Sequence, residues 1–214
     1  MLDEKKLTEA VHELHGQKKG FSQSFDLVFA FKDLNLKNPQ EQIEFFATIP
    51  HAPGKKTTVC ALVGPEMIDD AKVAVDLALE QVRFEKMTKP EIRKIAAKYD
   101  YFLGQANIMP KIAASFGRVL GPRGKMPNPK AGCIVPPKAP LKPLVERLQR
   151  TVKISAKKSP SCAVRVGSQS IPADQVVENV RNLYDQVVHH LPKEENNVKA
   201  VYLKVTMGHP VRLK

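Results

Sequence analysis

Two hydrophobic textures divide this chain. In the first, apolar and polar positions alternate: Phe25, Leu27, Phe29 and Phe31 against Ser24, Asp26, Val28 and Ala30, the period of a strand with one buried face. Ile43, Phe45, Ala47 and Ile49 repeat it. The pattern predicts two antiparallel strands, Ser24–Phe31 and Ile43–Ile49, joined to each other through a loop over 33–40. Near the C-terminus a last strand is expected over Ala200–Met207, with Val201, Leu203, Val205 and Met207 on its core face. Its other face, Ala200, Tyr202, Lys204 and Thr206, is small, aromatic, basic and hydroxylic, which suits RNA sugar and phosphate better than a core. Helical spacing marks Asp3–Gly16 and Asp174–His190, and Thr151–Ile154 and Ala163–Val166 are shorter strand candidates.

The second texture lies between these ends. Pro50-His-Ala-Pro-Gly-Lys-Lys56 breaks regularity and reads as a boundary. Val59–Val63 is then a continuous apolar run, as expected of a strand buried on both faces, followed by a helix over Glu66–Val75. Thr88-Lys-Pro-Glu91 has capping-box spacing and opens a helix to about Tyr99. Tyr101–Leu103 is a further short strand, Asn107 is placed to cap a helix over Ile108–Phe116, and a last helix spans Leu141–Gln149. The fold class is α/β with two domains. A discontinuous α+β terminal domain, residues 1–56 and 151–214, has an antiparallel sheet and helices, and residues 57–150 form an inserted Rossmann-like α/β domain with a mainly parallel sheet.

Charge changes this picture by giving it a partner. The formal net charge is +12, which points to a polyanion, nucleic acid before an anionic membrane surface. Between Tyr101 and Ala173 there are 13 Lys and Arg and one acid, Glu146; the other 141 residues carry 21 bases and 21 acids. Cys60, Cys133 and Cys162 are odd in number and far apart, against both a zinc cluster and a disulfide framework. His12 and His15 lie three apart on the first helix with no third ligand nearby, so they read as surface histidines. No signal peptide and no membrane-spanning run is seen, and a reducing, cytoplasmic setting is expected.

The centre of the basic third is Arg118-Val-Leu-Gly-Pro-Arg-Gly-Lys-Met-Pro-Asn-Pro-Lys-Ala-Gly132, expected to be neither helix nor inner strand, with Arg118, Arg123, Lys125 and Lys130 on a stiff frame. A P-loop would need Gly at position 119 and Ser or Thr at 126, where this chain has Val119 and Met126, and 101–145 offers no carboxylate to hold magnesium or act as a base. A nucleotide-dependent enzyme is therefore the weaker reading. Gly121-Pro-Arg-Gly124 fits a KH-type clamp, but Pro127 and Pro129 oppose the helix that must follow it. A basic loop with no ligand is the plainer alternative. For Thr206-Met-Gly208 the plainer reading is a strand end with a core methionine.

Taken with Thr206-Met-Gly208 and the entry Phe21-Ser-Gln-Ser-Phe25, the run Gly121–Gly132 resembles the ribosomal protein L-one family, over the whole chain and in a form closer to its archaeal members. The resemblance implies a two-domain protein with a hinge, without catalytic activity or cofactor, that binds large-subunit rRNA at the mobile stalk. It further implies assistance to deacylated tRNA leaving the E site, repression of translation through the protein's own mRNA, a monomeric state outside the ribosome, and no membrane partner. Family RNA contacts carried onto this sequence are Phe21, Asp26, Thr206, Met207 and Gly208, to which the open strand face adds Lys204. Arg118, Gly121, Arg123, Gly124, Lys125 and Lys130 become a second, weaker RNA contact. Three positions depart from the family pattern: Asp26 stands where Glu is usual, Gly20 where Lys or Asn is common, and His209 intervenes before Pro210. Specific recognition is thus expected in a charge-balanced terminal domain.

Overall fold

The structure, a computed structural model, describes residues 3–17, 19–38, 41–137, 139–157 and 159–214. The first leg of the chain forms α1 (Glu4–Gly16), β1 (Ser24–Phe31) and β2 (Ile43–Thr48). The middle forms β3 (Val59–Val63), α2 (Ile68–Ala74), β4 (Leu77–Glu80), α3 (Gln81–Glu85), α4 (Lys89–Lys98), β5 (Tyr101–Gln105), α5 (Met109–Leu120), β6 (Ile134–Val135) and α6 (Lys142–Gln149). The last leg forms β7 (Thr151–Ala156), β8 (Ser161–Ser168), α7 (Ala173–His189), β9 (Val198–Val205) and β10 (Val211–Arg212). These elements gather into two compact units. Residues up to Lys55 join Arg150–Lys214 in a terminal unit, and Lys56–Gln149 form the inserted one.

In the terminal unit an antiparallel sheet runs in the order β10-β9-β1-β8. The alternation in β1 does what its period requires: Phe25, Leu27, Phe29 and Phe31 are buried, while Ser24, Asp26, Val28 and Ala30 are half-buried on the other face. The buried face packs on α1, through Leu7, Val11 and Leu14, and on α7, through Val176, Val180, Leu183 and Val187. Asp3 caps α1, its carboxylate accepting from the Lys5 amide. Such a core, helices on one side only, leaves the opposite sheet face open.

β1 and β2 are not a hairpin. β1 is flanked on both sides, by β8 and β9, so it has no free edge, and β2 pairs antiparallel with β7 instead. The intervening segment is too long to fix a register as a two-residue turn would, so the apolar pattern of each strand chose its partner independently. β2 and β7 are the last strand before the insertion and the first after it, and the Ile49 amide donates to the Arg150 carbonyl at 2.9 Å.

The inserted unit is a parallel sheet, β4-β3-β5-β6, with β3 buried along its whole length. The mixed α/β class read from the sequence is therefore correct. β4, α3 and the two-residue strands β6 and β10 were not anticipated, because short segments carry too few positions to show a period. α4 begins as expected, the Glu91 carboxylate accepting from the amide and the hydroxyl of Thr88 at 2.8 Å each. Asn107 does not cap the next helix: it lies inside a single 3-10 turn, Ala106–Ile108, and Ile108 occupies the cap position of α5 without a side-chain bond. That helix also runs one turn further than its pattern suggested, to Leu120, because Gly117 is tolerated on its half-buried side and Leu120 is buried.

Candidate nucleic-acid interface

The terminal turn is assembled from three separate parts of the chain. β9 stops at Val205, and Thr206 closes against the start of β1: its amide donates to the Ser24 carbonyl and its Oγ1 accepts from the Ser24 amide, both at 3.1 Å. The Met207 amide donates to Oε1 of Gln23 at 3.0 Å, and the Gly208 amide returns to the Val205 carbonyl. Gly208 must be glycine on steric grounds, since a Cβ there would stand 2.5 Å from Val205 Cγ2 and 2.7 Å from Gln17 Oε1.

Behind the turn lies a glutamine network. Gln23 donates to the Gln17 carbonyl at 2.8 Å and its own amide donates to Oε1 of Gln169, whose Nε2 reaches the carbonyls of Gln17 and Leu14. These side chains tie the end of α1, the start of β1 and the exit of β8 to the turn. His15 joins the same packing, with Nε2 at 3.2 Å from the Ile171 carbonyl and its ring stacked on Phe25, so it is structural, while His12 is exposed. Sequence reasoning missed Gln17, Gln23 and Gln169, because a glutamine outside a periodic element carries no burial signal.

The consequence is an end of the sheet with large apolar side chains in solvent. Met207 is 68% exposed and Phe21 52% exposed. Met207 therefore does not continue the core face of Val201, Leu203 and Val205, and the plainer reading of it as a buried strand end is wrong: the turn at Thr206 ends the alternation first. The open sheet face beside it follows from register. Asp26 lies opposite Lys204 on β9 and Arg165 on β8, and Val28 opposite Tyr202 and Ala163, with Arg212 of β10 opposite Tyr202. Neither Lys204 nor Arg165 forms an ion pair among the described residues. Ala200, expected on this open face, is buried, next to the register shift at Ala30/Phe31.

The glycine and proline loop is a different kind of surface. Arg118 is exposed but belongs to the last turn of α5, not to the loop. Gly121, Arg123 and Gly124 form an exposed turn, and Lys130 is exposed within a 3-10 turn, Pro129–Ala131, the one helical turn the loop contains. Gly124 and Gly132 take left-handed φ angles of 63° and 72°, which the glycines permit. Lys125 points inward: its ammonium donates to the carbonyls of Ala96 at 3.1 Å and Tyr99 at 2.7 Å, capping the C-terminus of α4. Arg123 leans the same way, onto the Arg93 carbonyl.

Divided by unit, the charge also reads differently. The terminal unit carries 18 bases and 13 acids and the inserted unit 16 and 9, so the terminal unit is not charge-balanced. Arg150, Lys153, Lys157 and Arg165 stand in the basic third of the sequence but fold with the termini. Glu44 neutralises part of this: ion pairs to Lys157 and Lys153 hold its carboxyl below the usual range. The cysteines offer no nucleophile, since burial pushes the thiol of Cys60 up to about 12 and those of Cys133 and Cys162 to about 11. Among the described residues no cluster of His, Cys, Asp and Glu is arranged to hold a metal ion.

Residues 11–209 match the model of the ribosomal protein L1p/L10e family. The protein named large ribosomal subunit protein uL1 of Methanocaldococcus jannaschii is 36% identical over 220 residues, covering 100% of this chain and 97% of the relative. Its namesakes in Nanoarchaeum equitans, 35% identical over 92% of this chain and 94% of theirs, and in Methanoregula boonei, 34% identical over 100% of both, are similar to the same extent.

Proposed function

We propose, on the premise that this chain belongs to the ribosomal protein L1p/L10e family, that it is a non-enzymatic constituent of the large ribosomal subunit and binds rRNA through its terminal unit. The observation that carries the assignment is the exposure of Met207 on a turn held by the glutamine network, with Phe21 exposed just before β1. Single exposed apolar side chains are ordinary, but these two lie just beyond the paired ends of β1 and β9, where one partner can cover both. An RNA surface uses them, stacking the ring and the thioether on bases while Thr206, Asp26 and Lys204 meet sugar and phosphate. Gly208 keeps the backbone close enough for that approach. A mobile-stalk position and a monomeric state outside the ribosome are parts of the same reading, and the names of the relatives support a location in the large subunit of the cytoplasmic ribosome.

Release of deacylated tRNA from the E site is assigned to the inserted unit, whose exposed Arg118, Arg123 and Lys130 supply a weaker phosphate contact along with Gly121 and Gly124. Lys125 contributes there by holding the loop in place. Repression through the protein's own mRNA follows if that mRNA folds into the shape the terminal turn reads in rRNA. Against a nucleotide-dependent enzyme stand the absent hydroxyl at 126, the acid-free stretch around the loop and the buried thiols. Gel-shift titration of a large-subunit rRNA fragment checks the assignment. Phe21→Ala and Met207→Ala are expected to weaken binding by about 1–3 kcal/mol each, and undiminished binding by both variants would remove it.

A further inference from the structure

Helix α4 carries a row of cations that the terminal site does not use. Lys89, Arg93, Lys94 and Lys98 are all exposed: Lys94 and Lys98 on the face opposite the core residues Ile92 and Ala96, Lys89 and Arg93 on the adjoining flank. Counted along the chain, this segment looks unremarkable because Glu85, Glu91 and Asp100 offset much of its charge. In the structure only Glu85 is taken up by a cation outside the helix, Lys111; Glu91 and Asp100 keep their charge, but each is turned toward a threonine, Thr88 and Thr58 respectively. The helix itself carries four cations against the single acid Glu91.

None of the four cations forms an ion pair among the described residues. Lys89 with Arg93, and Lys94 with Lys98, are like charges at i,i+4, each pair costing the helix about 0.2–0.5 kcal/mol. The glycine loop then adds a fifth cation, since Arg123 lies against the Arg93 carbonyl at 3.4 Å, while Lys125 pins the loop to the end of the same helix. Such an arrangement weakens an isolated helix and strengthens a field.

We propose that the exposed side of α4, with Lys89, Arg93 and Lys94 and with Arg123 laid against it, binds the phosphodiester backbone of RNA without reading its sequence. The proposal rests on the reading of the chain as an rRNA-binding protein. It names a phosphate surface centred on the helix, with the loop as its margin. Sequence-independence follows from the form of duplex RNA, whose deep, narrow major groove keeps base edges out of reach of Arg and Lys side chains and leaves them the phosphates; besides its cations α4 exposes Pro90, Glu91 and Ala97. Lysines along a helix act as point charges toward phosphate, and their contribution is counterion release.

The test uses the full chain, titrated at several salt concentrations with a large-subunit rRNA fragment and with an unrelated RNA duplex of equal length. A Lys89→Gln/Arg93→Gln/Lys94→Gln variant keeps helix propensity. The slope of log affinity against log salt is expected to become shallower by about 2 to 3 on both RNAs, with the preference for rRNA unchanged. An unchanged slope on both RNAs overturns the proposal, and so does a lost rRNA preference, which would mean that α4 reads sequence. A Thr206→Val/Met207→Ala variant in the same titrations separates the two readings. If that variant keeps the full rRNA preference the terminal assignment fails, whatever the α4 slopes show.

Discussion

Gln23 is 1% exposed, and both ends of its side chain are occupied, the oxygen by the Met207 amide and the nitrogen by the Gln17 carbonyl. Replacement by leucine keeps the volume but strands the Met207 amide, so Gln23→Leu is expected to cost about 1–3 kcal/mol in urea unfolding. RNA affinity should fall with it, although position 23 meets no solvent. Gly208→Ala is expected to act similarly through overpacking, at about 1–3 kcal/mol, because its Cβ meets Val205 and Gln17. Gly20→Ala, with nothing within 4 Å of the added carbon, is the control and should leave the unfolding midpoint unchanged. At this scale little of the site was legible from pattern alone. Alternation carries Met207 into the core, and only the resemblance marked Thr206-Met-Gly208 for RNA. What breaks the alternation is a hydrogen bond from Ser24 to Thr206, 182 positions away, which no local period can register.

Elements were legible where their period was long. β1 and α7 lie where alternation and helical spacing put them, and the capping box at Thr88 formed as its spacing requires. Pairing was less legible, since two strands with the same pattern do not say whether they pair with each other, and β1 and β2 do not. Lys125 shows the same limit for charge: a lysine in a basic loop reads as a phosphate contact, yet its ammonium caps α4. Lys125→Met is therefore expected to destabilise the chain by about 1–2 kcal/mol, whereas Lys130→Met leaves stability unchanged and weakens RNA binding alone. Asp76 joins β3 to the start of β4, accepting from Lys56 Nζ and from the Val59 amide at 2.9 Å each. The Lys56 bond, followed by the amide bond, holds its carboxyl below the ordinary value of 3.8. A carboxyl lowered by folding stabilises the folded state above that ordinary value and stops doing so as pH falls through its folded value. Unfolding free energy measured from pH 5 downward should thus fall less steeply in Asp76→Asn than in the wild type.

At the scale of the whole molecule, two units with separate cores carry two kinds of surface. One-face-buried strands at both ends of the sequence enclose a run buried on both faces, and that contrast can be read without knowing any contact. Charge was legible as a total but not by place, because strands from the basic third of the sequence fold with the termini. On the proposed reading, shape at the terminal turn specifies the RNA, and the basic surfaces of the inserted unit add affinity without preference. The ends of the insertion make these two contributions separable: with the Ile49 amide bonded to the Arg150 carbonyl, a short flexible linker can join Lys55 to Arg150. The decisive measurement is the affinity of that joined terminal unit for a large-subunit rRNA fragment and for an unrelated RNA, beside the full chain. The joined unit is predicted to keep the full chain's preference for rRNA while binding both RNAs more weakly. A correctly folded terminal unit that binds the two RNAs equally would contradict recognition by the terminal turn.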